Sequence, residues 1–384
     1  MGKVVMKVIN IQEEGRFAGP HKRMMEVAAE LKKKDVETVL LFSSIQSEIF
    51  VDKLKNTDIS FKTLRLHKLT KDIFHFIGYF FWFFPELFAV YRFLKREKPD
   101  LVHCNGSWQW KGLVAAKMAG IPVVWHLSDT YMPKVIQGPF WFFKKFFVNH
   151  FIGACERAVA FYLNDKKNFK TVHVIQAPVI TEEFKPSKVI SASDLGKIPG
   201  KLVLTIGNIT PVKGHERLLK VAEKMKEQQG DLIISFVIIG RVWDSQKKYY
   251  QKLLSYVKEK ELSNVYFLGG TNEVKEHLKG ADLFFCSSEF EASPIAVWEA
   301  LSMSLPVVST DVGDVKQIVQ GNGAGFVMEG RDIDGFVSRI LKLVKDRELR
   351  NEMSINARKV ALNYLDISIC AKNHLECYQD ILNS

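Results

Sequence analysis

Two glutamates, Glu291 and Glu299, stand eight residues apart around a Ser-Pro step in "SSEFEASPIAVWEALSMSLPVVSTDVG", residues 287–313. Ser293 suits an N-cap and Pro294 the first helical position, so the pattern predicts a helix that starts there. Glu291 then lies just before the helix, and Glu299 lies on it more than a turn in. Free amides around Ser293–Ile295 would face open space, the arrangement with which a helix end holds a phosphate. A capped surface helix with two solvated acids is the plainer reading of the same residues. Lys213, in the loop "GNITPVKG", has the chemistry of a point charge for a diphosphate leaving group, or of a solvated loop lysine. His126, which ends "PVVWH", titrates in the range of a general base and could also contact a sugar, or simply fill a strand end. Gly15 and Gly19 in "NIQEEGRFAGPHKR" form a Gly-x-x-x-Gly loop. Such a loop lets amides approach a phosphate, or marks a turn with positive φ.

These residues need elements that bring them together, and the sequence supplies a regular alternation. In the first half, strands are expected near Val4–Ile9, Glu37–Phe42, Leu101–His103, Val123–His126, Ala158–Phe161 and Val172–Ile175, with helical patterns such as Arg23–Lys33 and Trp108–Ala119 between them. The stretch 187–200, rich in Ser, Gly and Pro, reads as a linker. Alternation then restarts: "KLVLTIGN", a helix from His215, "ISFVIIG", a helix from Ser245, "VYFLGG", "LFFCSS", the helix at Ser293, "PVVST" and "AGFVM". Three helical patterns close the chain. Continuous apolar strands with helical crossovers imply parallel sheets covered on both faces. Ligands of such sheets bind beyond the carboxyl ends of the strands, where the candidate residues fall.

Composition narrows the function. The 384 residues allow two domains of ordinary size, and 47% hydrophobic with 25% charged residues is a globular balance. The first loop has neither GxGxxG nor GxxxxGK[ST], which argues against a dehydrogenase or a P-loop NTPase. Five cysteines show no CxxC pair and no metal-ligand spacing, so no structural metal and a reducing, cytoplasmic setting are expected. The N-terminal residues lack the apolar core of a secretory signal. The net charge of +11 is uneven: residues 1–190 hold 29 Lys and Arg against 18 Asp and Glu, whereas residues 191–384 hold 25 of each. The first half therefore suits an anionic partner.

The order of these pieces resembles the retaining family-4 glycosyltransferases. "EASPIAVWE" matches that family's Glu-x7-Glu pattern, "GNITPVKG" its donor-phosphate loop, and "GRFAGPHKR" with "PDLVHCNG" and "GIPVVWH" its acceptor-side loops. The resemblance implies an α/β chain of the GT-B architecture, two facing Rossmann-like domains with parallel sheets. The expected layout is an acceptor-side domain over 1–186, a linker over 187–200, a nucleotide-sugar-binding domain over 201–365, and a final helix over 366–384 that returns to the first domain. It implies transfer of a sugar, with retention, from a UDP- or GDP-linked donor to a cell-envelope saccharide or lipid-linked acceptor, with no metal. Glu299 would bind the ribose and Glu291 the donor sugar. Lys213 and the amides around Ser293–Ile295, on either side of Pro294, would stabilise the departing diphosphate, Gly19 would lie on the donor, and His126 would face the transferred sugar. Two residues depart from the family: Asn208 stands where an Arg is usual, with Arg217 or Arg241 as substitutes, and Asp314 where Gly is frequent. The implied chemistry is physically coherent, because a helix N-terminus plus a lysine stabilises a leaving diphosphate without a metal ion.

Half of the 28 phenylalanines fall within residues 73–93 and 140–151. His75, Pro85 and Glu86 interrupt the first segment, so it is not expected to span a membrane. Phe84, Leu87, Phe88, Tyr91 and Leu94 keep a helical spacing that suits packing on a sheet. Phe76, Tyr79–Phe81 and Phe83 exceed one core-facing stripe. Together with Lys144 and Lys145 they fit a surface that contacts an anionic membrane on its inner face, or a thick core or a dimer contact. A nucleotide-sugar epimerase or hydrolase of the same fold is the alternative enzyme. A nucleic-acid-binding role is disfavoured because the basic residues form no recognisable binding motif.

Overall fold

The computed structural model describes residues 6–69, 78–164, 168–188 and 190–384, with the backbone alone over 73–77. The chain forms two compact units, residues 1–177 with 367–384 and residues 178–366.

The first unit alternates strand and helix: β1 Met6–Gln12, α1 Gly19–Lys32, β2 Val36–Ser43, α2 Glu48–Lys55, β3 Phe61–Leu64, α3 Ile73–Glu97 and β4 Leu101–Asn105. It continues through α4 Lys111–Ala119, β5 Val123–Leu127, α5 Lys134–Phe147, β6 His150–Gly153, α6 Glu156–Leu163 and β7 Thr171–Val174. The seven strands are parallel in the order β3-β2-β1-β4-β5-β6-β7. Strands such as "VETVLLFS" are apolar along most of their length because both faces are covered. Helices α1 and α2 close one face around Met24, Phe42 and Phe50. Helices α3 to α6 close the other around Leu94, Trp125, Phe140 and Tyr162.

The second unit carries β8 Lys201–Ile206, α7 His215–Gln228, β9 Ile234–Ile239, α8 Lys247–Glu259, β10 Val265–Gly269, α9 Val274–Gly280 and β11 Leu283–Cys286. Then come α10 Ile295–Ser302, β12 Val307–Thr310, β13 Gly325–Met328, α11 Ile333–Lys345 and α12 Arg347–Val360. Its parallel order is β10-β9-β8-β11-β12-β13. The last helix, α13 Ile367–Leu382, belongs to the first unit and packs on α1.

In each sheet the chain runs outward to one edge and then returns beside its starting strand. The switch falls between β1 and β4 in the first unit and between β8 and β11 in the second. At such a switch the flanking loops diverge and leave a crevice for ligand. The loop bearing Lys213 follows β8, and the loop bearing Glu291 follows β11.

Several expectations are corrected. Ala158–Phe161 is not a strand but the middle of α6, begun by Cys155, whose Sγ accepts from the Ala158 amide at 3.2 Å. The actual strand is the preceding "HFIG", four residues that abut an aromatic run and so lacked a readable boundary. Strand β3 was missed because it is short and only partly buried. Segment 187–200 lies within the second unit: the Ala192 amide donates to Glu276 O at 3.1 Å, and Leu195 is buried. On α3 the core-facing residues are Tyr79, Leu87, Val90 and Leu94, whereas Phe84 and Phe88 are exposed. The stripe is thus offset from the one expected, and Tyr79 moves from the surplus to the core. Phe76 lies outside the described side chains. Lys144 is buried rather than presented outward: its ammonium donates to Tyr162 O at 3.0 Å and sits 3.5 Å from the Trp141 ring centroid. Burial lowers its pKa to about 8. Gly15 has no positive φ; a Cβ there would come within 2.4 Å of Ser43 O, so it is small to let two loops touch.

Candidate active site

The loop leaving β8 makes a single 3₁₀ turn at Pro211–Lys213 and enters α7 through Gly214, which has φ 65°. A Cβ at Gly214 would lie 1.8 Å from Ser287 O, so only glycine allows this turn to press against the loop after β11. The Ser287 hydroxyl donates to Lys213 O at 2.9 Å and locks the two loops together. Across this joint, Lys213 Nζ lies 2.5 Å from Glu291 Oε1, and the Ser288 hydroxyl donates to the same oxygen at 3.0 Å. Burial alone would depress the Lys213 ammonium, but the Glu291 carboxylate outweighs it and holds the lysine above its ordinary pKa. The lysine is therefore a fixed cation.

Lys213, Ser288, Glu291, Pro294 and Val297 line a cavity of about 20 Å³, together with Thr205. That volume holds about one water. The cavity is therefore too small for anything larger than a water, and it adjoins the start of α10 through Pro294 and Val297. Helix α10 begins at Ile295, one residue later than expected, with Pro294 in the cap position. The Trp298 indole N–H donates to the Ser293 hydroxyl at 2.9 Å, just ahead of the helix. The first amides of α10, at Ile295 and Ala296, precede the intrahelical ladder and end the helix as donors. Glu299 lies farther along α10, buried at 6% exposure.

Asn208 is exposed on the same loop as Lys213. Arg217, a candidate substitute for the cation missing there, is committed elsewhere: it donates to Ser287 O, Gly330 O and Glu289, each at 2.5 Å. It joins the loops after β11 and β13. Arg241, just beyond β9, is exposed, with its guanidinium 5.7 Å from the Trp243 ring centroid. A larger hollow of about 790 Å³, lined by Pro211, Gly214, Arg217, Tyr249 and Arg331, flanks the same turn.

In the first unit, Gly19 is the exposed first residue of α1 and His126 is buried at 1% exposure in β5. Arg23 Nη1 lies 2.9 Å from His126 Nε2, and His126 Nδ1 lies 3.1 Å from His103 Nε2. A guanidinium only donates, so His126 Nε2 is the acceptor and its single proton sits on Nδ1. That proton is donated to His103, whose own Nδ1–H reaches Tyr378 Oη of α13 at 2.7 Å. His374 stacks on His103 at 5.7 Å. Burial pushes His103 and His126 well below the ordinary histidine range, with Arg23 and the neighbouring imidazoles adding to it. His374 is lowered to about 3. Both ring nitrogens of His126 are occupied, and it has no lone pair to offer as a base. Glu13, in the loop after β1, is likewise fixed: its carboxylate accepts from the Lys111 amide at 2.9 Å, and the Lys111 ammonium also meets Glu86 at 2.8 Å.

Sequence reading missed Arg23, Ser288 and Tyr378. Ser288 sits three residues before Glu291 and was within reach of a spacing argument; Arg23 and Tyr378 were not.

Residues 193–360 match the profile of the glycosyl transferases group 1, and residues 18–182 that of glycosyltransferase family 4. The UDP-Gal:alpha-D-GlcNAc-diphosphoundecaprenol alpha-1,3-galactosyltransferase of Escherichia coli is 27% identical over 300 residues, 73% of this chain and 76% of that one. Among solved structures, a glycosyltransferase from Rickettsia africae superposes with a TM-score of 0.80 at 16% identity over 99% of both chains. Anabaena HepE, solved with UDP and glucose, gives 0.78 at 16% identity over 97% of this chain and 98% of that one. With two parallel-sheet domains and both family profiles, the chain belongs to the family-4 glycosyltransferases, of GT-B architecture.

Proposed function

We propose that the protein moves a sugar, with retention at the anomeric carbon, from a UDP-linked donor to a saccharide carried on a lipid diphosphate of the cell envelope. The observation that carries the donor side is the Lys213–Glu291 pair at the start of α10. Departure of the nucleotide builds negative charge on its terminal phosphate, and a fixed ammonium with free helix amides stabilises that charge in place. In this reading the reaction needs no metal. Glu291 holds Lys213 and accepts from hydroxyls of the donor sugar, Glu299 accepts from the ribose, and Arg241 supplies the second cation that Asn208 does not.

Uracil is favoured over guanine by the relatives: the E. coli enzyme is named for UDP-Gal and HepE was solved with UDP. The lipid-linked acceptor rests on the same galactosyltransferase and on the basic character of residues 1–190. Family membership supports retention. The first unit holds the acceptor, and His126 serves there as a buried strut rather than a base. An acceptor of this kind places the enzyme peripherally at the inner face of the cytoplasmic membrane. Among the described residues, no helix is long and apolar enough to cross a membrane.

A thermal-shift screen of UDP-, GDP- and ADP-sugars tests the donor assignment, since a ligand bound only by the native state raises its melting temperature. UDP-sugars should raise it, and Lys213→Ala should abolish the rise. No shift with any sugar nucleotide contradicts the reading.

A further inference from the structure

Helices α3 and α5 flank α4 on one face of the first sheet, and Trp110 at the start of α4 bridges them: its ring meets Tyr79 of α3 edge-on at 6.2 Å and stacks on Phe143 of α5 at 4.8 Å. Their inner residues fill the core, but an outer row remains on the surface. Phe81 is 73% exposed and Phe84 65%, with Phe88 on the same helix and Trp141, Phe142 and Phe146 on α5 also exposed. So many large rings on two helices of one sheet face exceed what a solvated surface carries without a purpose.

The charges on this face have one sign. Helix α5 contains no acidic residue, and its Lys134 and Lys145 are exposed. Helix α3 contains two: Glu86 is buried against Lys111, and Glu97, at the far end, is paired with Lys7 at 3.0 Å. Arg92 and Lys95 on α3 are exposed. A second copy of the chain would set these uncompensated bases against one another. An anionic surface that also accepts aromatic rings meets both properties at once.

We propose that the α3–α5 face docks on the anionic surface of a membrane, with Phe81, Phe84 and Phe142 in the headgroup region and Lys134 and Lys145 against phosphates. Helices in these crossovers run antiparallel to the strands, so α3 and α5 begin at the same sheet edge as the loops after β1 and β5. A lipid-linked acceptor would thereby be delivered to that edge; this link rests on the proposed function, whereas the docking itself does not.

The test uses the full-length protein with vesicles of phosphatidylcholine, alone or mixed with phosphatidylglycerol. Wild type should sediment with the mixed vesicles and be released when salt is raised to roughly 0.5 M, where the Debye length falls well below 10 Å. Phe81→Ser/Phe84→Ser/Phe142→Ser and, separately, Lys134→Glu/Lys145→Glu should each weaken sedimentation by about tenfold or more with unchanged circular dichroism. Transfer to a water-soluble short-chain acceptor should stay at the wild-type rate in both. Wild type left in the supernatant with mixed vesicles overturns the proposal, and so does sedimentation unaffected by either variant. A dimer seen by light scattering and dissociated by the phenylalanine variant overturns it in favour of a second copy. Vesicle binding without any sugar transfer leaves the docking standing and removes the proposed function instead.

Discussion

Lys213 and Glu291, 78 positions apart in the chain, meet at 2.5 Å where the loops after β8 and β11 are joined by Gly214 and Ser287. The pair places a paired cation beside the first amides of α10. In the proposed reaction an arriving diphosphate takes over part of the lysine's coordination. Lys213→Ala should lower turnover more than tenfold, since removing one preorganised donor commonly costs on the order of a hundredfold. Steady-state kinetics with a UDP-sugar measures this, and unchanged turnover moves the phosphate site elsewhere.

The two glutamates should separate kinetically. Glu299→Ala should raise KM for the donor, with the lost hydrogen bond worth roughly 1–3 kcal/mol. Glu291→Ala should mainly lower kcat, because it frees Lys213 and removes the sugar contact together. Equal, small effects on both constants return the pair to a capped surface helix with two acids.

Gly214→Ala should disable the site without touching a ligand. The left-handed backbone alone costs roughly 1–3 kcal/mol for a residue with a side chain. The 1.8 Å approach to Ser287 O adds to that. Donor affinity and melting temperature should fall together, and a variant that melts like wild type shows the loop joint to be dispensable.

The imidazoles around Arg23 set an acid limit on stability. His103, His126 and His374 are neutral in the folded unit, with His374 lowered to about 3. Unfolded histidines take up protons near pH 6.5, so stability is complete above that value and falls as pH drops toward the depressed folded values. Each proton contributes about 1.4 kcal/mol per pH unit to the slope. Urea midpoints between pH 7 and 5 should fall less steeply for His374→Gln than for wild type. Parallel slopes contradict the neutral assignment.

Much of the fold was legible because the strands of the second sheet are mostly apolar runs, such as "ISFVII" with a single serine, between polar loops. The errors lay where that signal is shortest: "HFIG" beside an aromatic helix, and "AVAF", which lies in a helix capped by Cys155. Glu291, Ser293, Pro294 and Glu299 could be grouped around one helix start because they are close in sequence. The Arg23–His126 contact spans 103 positions and the His103–Tyr378 contact 275, distances over which no local pattern operates. Lys144 showed the same limit. Its sequence neighbours suggested an exposed base, and only packing reveals that it closes on Tyr162.

The central claim is tested most directly by incubating the protein with a labelled UDP-sugar and a saccharide on a polyisoprenyl diphosphate. The account predicts label on the lipid only when the acceptor is present, linked with the donor's anomeric configuration, and lost in Lys213→Ala and Glu291→Ala. Release of free or epimerised sugar at the same rate without acceptor would contradict it.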